Sequence, residues 1–475
     1  MVAAPALYVL ATPRIDLTEE HAAHLRELAA AHGKTLTIET IHSDQPRNRS
    51  GVDRRLRDAL ARAASPHTII VTTHAGLLGL ERSDIAGWHV CVDEIIDTAI
   101  MSGEIGLGAS WPALAAFYDL VPSSEDGWYR LAPRKDVQRV GIRQVRGDVG
   151  RELVELHRLA ASRGRIVEVN IAVWADAGVS KRRVRWRSIW TLAELQGARS
   201  VTIAATGYTG SLLDYATRRA GGVHINTVPV GNRRIGQPQI EIRYYTRHSG
   251  STNWWERSEG SACIAAIAQH LSTINFQGYW TANQMAAPYL RHRFAGLEVR
   301  PKTAGTNVLR EFEECAVVYS CKATPADTAL IEALNLDREA VRAAREDEDI
   351  FQMVTRGAIR DPEYSGRYEI HVYDDGQAER LRARMLAGGF TDVMLVPVFE
   401  AGVMDVKRKS AGRARKSENA TINETADERA ERLRLAEVER GRRRRTEDQA
   451  KKMEAGTYRG RGRPRKVASA HQPSA

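Results

Sequence analysis

Apolar positions in the first half of the chain fall into short runs separated by stretches with helical spacing. Leu7–Thr12 (LYVLAT), Thr68–Thr73 (TIIVTT) and His89–Asp93 (HVCVD) are strand-like, and residues 35–40, 167–173 and 200–206 continue the series. Residues 18–32 and 53–64 between them repeat apolar positions at the helical period. Buried strands alternating with helices predict an α/β fold whose mostly parallel sheet is covered on both faces. Ligands of such sheets gather at the carboxyl ends of the strands. Those ends are Thr12-Pro13, Thr73-His74, Asp93-Glu94 and Thr206-Gly207, all polar or turn-forming.

A second α/β unit is predicted after Gly221-Gly222. Its strands are expected at residues 224–229, 240–245, 316–319, 368–373 and 392–398, and its helices at 261–272, 325–334, 338–345 and 377–387. Residues 254–299 are rich in Trp, Tyr, Asn and Gln, and beyond one helix their pattern assigns nothing. The expected organisation is a first lobe over 1–222, a second over 223–405 and a tail over 406–475. Within the tail, residues 426–453 are charged and helix-prone, with Leu433 and Leu435 almost the only large apolar side chains. So little apolar surface makes this segment a solvated helix or a disordered one.

At 475 residues the chain exceeds one ordinary domain, and 43% hydrophobic residues suffice for two cores. The apolar runs are too short to span a bilayer, and no basic n-region follows Met1, so neither a membrane span nor a secretory signal is expected. Cys91, Cys263, Cys315 and Cys321 form no C-x-x-C pair; Cys315 and Cys321, flanking an expected strand, read as core thiols rather than metal ligands, and the protein reads as reduced and cytoplasmic.

Charge sharpens the picture. The net charge is +10, and from Ala401 onward there are 21 Lys+Arg against 11 Asp+Glu, leaving 48 of each in the first 400 residues. A neutral body with a basic appendage suggests a polyanion partner for the tail.

Four segments carry candidate chemistry. Asp93-Glu94 follows an apolar run, as a Mg²⁺-holding and water-orienting acid pair would; the plain alternative is a strand ending in solvated acids. Gln352, Arg356 and Arg360 recur at spacing four, which on one helix would give them a common face. Arginine suits transition-state phosphate because it is always charged and presents a planar fork; the alternative is surface pairing with Asp361 or Glu363. Residues 300–307 (RPKTAGTN) form a polar, Gly-containing loop able to contact phosphate, or an ordinary connection. Thr72-Thr73-His74-Ala75 either touches nucleic-acid phosphate or caps a helix.

Taken in order, these pieces resemble the DEAD/DEAH-like superfamily 2 helicases, in a divergent branch of the phage and plasmid type. Leu10-Ala11-Thr12-Pro13-Arg14 is similar to motif Ia, Val71–Ala75 to motif Ib, Val90–Glu94 to motif II and Ala204-Ala205-Thr206 to motif III. Thr303-Ala304-Gly305-Thr306-Asn307 is similar to motif V, and the segment from Gln352 to Arg360 to motif VI. The resemblance spans about residues 5–375. It implies two RecA-like lobes, ATP and Mg²⁺ as cofactors, and hydrolysis coupled to movement on nucleic acid. Asp93 would hold Mg²⁺ through water, Glu94 would act on the attacking water, and Gln352, Arg356 and Arg360 would reach phosphate. Thr12, Arg14, Thr73, His74, Thr303, Gly305 and Asn307 would face nucleic acid, and Ala205 and Thr206 would couple hydrolysis to motion.

Two features depart from the family. The motif VI arginines stand four apart rather than three, with Gly357 after the first. A P-loop, which wraps β/γ-phosphates with backbone amides between a strand and a helix, is not found. Gly33-Lys34-Thr35 is the one Gly-Lys-Thr, and it is expected to end a helix and open a strand, the reverse order. The chain therefore reads as starting just past its own P-loop. That leaves three expectations: a motor, a non-enzymatic binding protein on a helicase scaffold, and a fragment served by a separate P-loop-bearing segment.

The tail adds Arg459-Gly460-Arg461-Gly462-Arg463-Pro464, which resembles an AT-hook. Gly and Pro keep such a backbone thin and extended, and the resemblance implies that Arg461 and Arg463 of the Arg461-Gly462-Arg463-Pro464 core, with Arg459 just before it, would lie along an A·T-rich minor groove. The alternative is a basic tail for any polyanion, as with Arg442–Arg445. Residues 181–187 (KRRVRWR) read either as a nucleic-acid channel lining with Trp186 stacking on a base, or as the start of an amphipathic helix with Trp186 and Trp190 half-buried. Trp254-Trp255 and Tyr279-Trp280 read as packing residues.

Overall fold

In the computed structural model of the chain, residues 1–44, 51–105, 116–134, 153–170, 183–228, 234–301 and 308–406 are described. Met1–Lys407 is one compact unit. Its first strands are β1 (Leu7–Thr12), β2 (Thr37–Ile41), β3 (Thr68–Thr73) and β4 (His89–Asp93). Next come β5 (Ile100–Ile105), β6 (Tyr118–Pro122), β7 (Trp128–Pro133), β8 (Glu168–Asn170) and β9 (Val184–Ile189), before β10 (Ser200–Ala204). The first sheet has the order β10-β4-β1-β3-β2, every pair parallel.

Alternation along these strands places a core on each face. Val9, Ala11, Ile70, Val90 and Val92 point into one cluster with Leu56, Leu77 and Trp190. Tyr8, Leu10, Ile69 and Val71 point the other way, onto Ala22, Leu25 and Ala29 of the helix Ile15–Ala31. This is the two-sided burial that made the strands read as unbroken apolar runs.

The stretch from β5 to β9 departs from the expected parallel series. It is a separate antiparallel sheet, β5-β9-β8-β7-β6, inserted between β4 and β10. Residues 167–173, expected to continue the parallel sheet, supply the short strand β8 to this insertion instead. Five residues connect β6 to β7, too few for a parallel crossover and ample for a hairpin. Residues 181–187 are neither channel nor helix over their described part: they enter β9, and Trp186 and Trp190 are buried. Arg187, also buried, pairs with Glu125 at 2.6 Å and Glu168 at 2.7 Å and stacks over Trp128.

The second parallel sheet contains β11 (Gln239–Thr246), β12 (Tyr279–Ala282), β13 (Leu297–Glu298), β14 (Glu314–Val318), β15 (Arg367–Asp374) and β16 (Asp392–Pro397), in the order β13-β12-β14-β15-β11-β16. The architecture is thus mixed α/β on two parallel sheets, as the RecA-like expectation requires. Residues 224–228 form no strand. β12 and β13 lie in the segment the pattern left unassigned. Their aromatic residues Tyr279 and Trp280 are core, as are Trp254 and Trp255. Leu330, Leu334 and Val341 pack in the first sheet's core, and Ser102 of β5 in the insertion donates to Asp327 at 3.2 Å in a part-buried bond. Among the described residues no helix is long and apolar enough to cross a membrane.

Candidate functional site

β4 ends in the acid pair. Asp93 is its last residue, and Glu94 turns into left-handed backbone at φ 66°, a region a residue with a Cβ seldom enters. Such a conformation costs about 1–3 kcal/mol and persists where the surroundings hold it. Here the Glu94 amide donates to the Ala204 carbonyl at 2.9 Å, tying it to the end of β10. The Asp93 carboxylate meets His21 Nε2 at 3.2 Å, and this bond raises the His21 pKa. His74 Nε2 lies 2.8 Å from the Asp93 carbonyl oxygen, so that nitrogen carries the proton and donates. Burial pushes His74 down, in keeping with a neutral ring.

Across from the acid pair stands the arginine segment. The spacing of Gln352, Arg356 and Arg360 predicted one helix, but the helix Glu348–Val354 ends before Arg356, and Ala358–Arg360 is a separate 3-10 turn. Gly357 opens that turn, and a side chain there would strike the Tyr368 hydroxyl and the Phe312 carbonyl. The Ala358 amide donates to that same carbonyl at 2.8 Å, which fixes the turn.

Arg356 Nη2 reaches Glu94 Oε1 at 3.8 Å. Arg356 is 7% exposed and the Glu94 side chain 25%, so the arginine is shielded from water while the carboxylate is half-buried. Burial pushes the Arg356 pKa down, Glu94 opposes this, and the Arg360 and Arg14 cations add to it. Burial raises the Glu94 pKa; Arg356 and Arg360 lower it, while Asp93 and Glu348 raise it. Glu94, Arg356, Arg360, Glu348 and Arg14 therefore form one electrostatic cluster drawn from both parallel sheets.

Gln352 does not point at Glu94; its amide donates to Glu348 Oε1 at 2.8 Å, and Arg384 pairs with Glu348 Oε2. Gly207, at φ 73° just after Ala205 and Thr206, sits against the Glu348 carboxylate, so the end of β10 touches the second lobe.

Other candidates are placed differently from one another. Thr12 is fully buried, its hydroxyl shared with Thr18 at 2.7 Å and the Arg14 carbonyl at 3.0 Å, and it presents no surface to a ligand. Thr73 caps the short helix His74–Leu77 by accepting from the Gly76 amide. Arg14 pairs with Asp16 at 3.1 Å, and its Nε is buried without a hydrogen-bond partner. Thr303, Gly305 and Asn307, and Arg459, Arg461, Gly462, Arg463 and Pro464, lie outside the described residues. Sequence reasoning missed His21, Glu348 and Arg384. Glu348 carried a signal, lying four residues before Gln352 on a helix; His21 carried none, because its contact with Asp93 is made only in the fold.

Asp93 and Glu94 fit a hydrated Mg²⁺, which needs few protein carboxylates and takes its remaining oxygens from water and phosphate. The nucleotide fits only in part. Gly33 closes the helix Ile15–Ala31 at φ 58° ahead of β2, so Gly33-Lys34-Thr35 runs helix to strand, and among the described residues no glycine loop cradles phosphate between a strand and a helix.

No family model matches the sequence, and no curated protein matches it. Among solved structures, one designated XPD_APO is similar at 9% identity and a TM-score of 0.42, covering 84% of this chain and 98% of its own. S. cerevisiae Dbp5 bound to RNA and ADP BeF3 is similar at 11% identity and a TM-score of 0.35, covering 83% and 78%. At such scores the likeness carries no weight for the site, whose reading rests on its own residues.

Proposed function

We propose that this chain is a helicase-like, NTP-dependent nucleic-acid motor body with a DNA-tethering tail. The observation that carries the reading is the meeting of Glu94 and Arg356 across the two parallel sheets. A carboxylate at a strand end and an arginine from a second lobe are the two halves of a phosphoryl-transfer site whose chemistry depends on closure. Bound Mg²⁺ would neutralise phosphate charge beside Asp93. Glu94, with its raised pKa, is suited to take a proton from water, and Arg356 and Arg360 to hold phosphate oxygens. The backbone bond from Glu94 to Ala204 and the contact of Gly207 with Glu348 support a coupling role for Ala205 and Thr206. The lobes are taken as 1–222 and 223–405, and the tail as a minor-groove tether for A·T-rich DNA.

Equilibrium dialysis of the whole chain against ATP with Mg²⁺ tests the reading. Retention that falls at least tenfold in Arg356→Ala supports it; no retention by the wild-type chain argues against it.

A second reading is favoured by two observations. The Glu94 carboxylate is already matched by Arg356, and the Gly-Lys-Thr segment faces the wrong way for a P-loop. A binding protein on a helicase scaffold, or a body completed by a separate P-loop-bearing segment, would look the same. ATP retained only after such a segment is added would favour the latter.

A further inference from the structure

β10 is an edge strand without the features that protect edges. Among the described residues it pairs with β4 alone. Ser200, Val201, Thr202 and Ala204 are exposed, Val201 at 38%, and Ile203 is half-buried. Soluble proteins blunt such edges with Lys, Pro, a bulge or a covering loop. Ser200–Ala204 (SVTIA) holds no charge, no Pro and no Gly, and its three central residues are β-branched, a composition that favours strand pairing.

Both sheet faces beside this edge are open as well. Register sets Ser200, Thr202 and Ala204 on the face of His89, Cys91 and Asp93, and Val201 and Ile203 on the face of Val90 and Val92. On the first face the helix Ile15–Ala31 packs on Tyr8, Leu10, Ile69 and Val71 of β1 and β3, while His89 and Cys91 are only half-buried and the small side chains of β10 stay exposed. On the second, Ile203 packs partly on the core and Val201 stands in solvent. A parallel sheet is ordinarily covered on both faces. One added strand would satisfy the edge and leave the faces bare. A strand leading into a helix serves both, because neighbours in a parallel sheet are connected through helices.

The direction of β10 says where such a unit would turn. A strand parallel to it ends where β10 and β4 end, at Ala204, Asp93 and Glu94, which the bond from the Glu94 amide to the Ala204 carbonyl ties together. A helix leaving that end begins beside two carboxylates. Helix N-termini carry partial positive charge, so the incoming turn and the acidic strand end are complementary. The same N-terminus is a seat for phosphate, which puts it in the place that the Glu94 cluster lacks.

We propose that the free edge of β10 is a docking surface for a strand–turn–helix unit of a partner polypeptide. Its β-branched strand pairs parallel to Ser200–Ala204, its glycine-containing turn lies beside Asp93-Glu94, and its helix covers Cys91 and Thr202, where small side chains permit close approach. The proposal rests on the reading of this chain as a body completed by a separate segment, and it gives that segment its place.

The test uses the whole chain and a synthetic peptide with a Val/Ile/Thr strand, a turn containing Gly-Lys-Thr and an Ala/Leu-rich helix. A control peptide carries Pro at alternate strand positions, which removes ladder donors. Binding is read by titration calorimetry and by hydrogen exchange of the amides at 200–204. The expected result is saturable binding of the first peptide alone, with exchange slowed at 200–204. Val201→Lys and Thr202→Lys put charge on exposed side chains and should each weaken binding at least tenfold with an unchanged melting temperature. Absence of saturable binding overturns the proposal. So does binding that leaves exchange at 200–204 unchanged, or that both Lys variants retain in full. A dimer of this chain in ultracentrifugation that Thr202→Lys abolishes overturns it too, because the edge then serves a second copy. ATP retention, measured on the same samples, separates this surface from the nucleotide reading. Peptide bound at β10 without ATP retention supports the surface and argues against nucleotide binding; ATP retained by the chain without peptide binding does the reverse.

Discussion

Glu94 Oε1 and Arg356 Nη2 stand 3.8 Å apart, one at the end of a strand in the first parallel sheet, the other just past a helix of the second lobe. Each is disfavoured as an isolated ion, because burial penalises its charge. Each supplies part of what the other lacks, so the contact couples the lobes electrostatically. A double-mutant cycle with Glu94→Gln and Arg356→Gln in denaturant unfolding should give an interaction energy of about 1 kcal/mol. Independent effects of the two substitutions would contradict the coupling.

Glu94 alone predicts a pH signature. Its pKa is raised in the folded chain, so folding favours its protonated form. Its contribution is fully present below the unfolded carboxyl pKa and is lost as pH rises through the folded value. Glu94→Gln, which resembles the protonated acid, should therefore gain stability over wild type at pH 8 and little at pH 4. Thermal melts at the two pH values check the sign.

His371 predicts the opposite dependence. It is 1% exposed, accepts the Tyr245 hydroxyl at 2.8 Å as a neutral ring, and is pushed by burial down to about 3, with Arg243 and His270 adding to the effect. Its contribution is present above the unfolded histidine pKa near 6.5 and is lost as pH falls towards about 3. Over that interval this one group can contribute a slope of up to roughly 1.4 kcal/mol per pH unit. His371→Asn should flatten the acid limb of the stability profile; an unchanged limb would mean that other groups set acid unfolding.

Gly207 and Gly210 both hold left-handed backbone, at φ 73° and 86°, but only Gly207 lies against a side chain, that of Glu348. Gly207→Ala should cost about 1–3 kcal/mol and also disturb nucleotide-dependent behaviour, while Gly210→Ala, with open space around it, should cost no more than about 1 kcal/mol. Equal losses would mean the contact with Glu348 has no energetic weight.

The pattern of the sequence was most legible where burial is two-sided. Leu7–Thr12, Thr68–Thr73 and His89–Asp93 are strands with the expected bounds, because in a parallel sheet both faces demand apolar residues. It misled in the insertion, where β8 is three residues long and a short apolar run has no periodicity to declare its direction. The site was half legible. Asp93-Glu94 follows from strand position, whereas the expected common helical face for Gln352, Arg356 and Arg360 fails because the helix ends at Val354. Gly357, packed against Phe312 and Tyr368, opens a separate 3-10 turn, and Arg356 reaches Glu94 from the link between helix and turn. His21 beside Asp93 and Glu348 beside Gly207 are long-range contacts with no local signature.

The basic tail gives a prediction of its own. Removing residues 408–475 should weaken binding to DNA and flatten its salt dependence; with about six phosphates contacted, the log–log slope should fall by roughly five. Melting of the remaining body should be unchanged, since Met1–Lys407 is compact by itself. An unchanged slope would contradict the tether.

The most direct measurement is ATP hydrolysis by the whole chain, with and without single- and double-stranded DNA, beside Glu94→Gln. The account predicts DNA-stimulated turnover that falls at least a hundredfold in the variant, a loss equivalent to about 2.7 kcal/mol of transition-state stabilisation. Turnover that is absent from the wild-type chain, or that survives in Glu94→Gln, would contradict it.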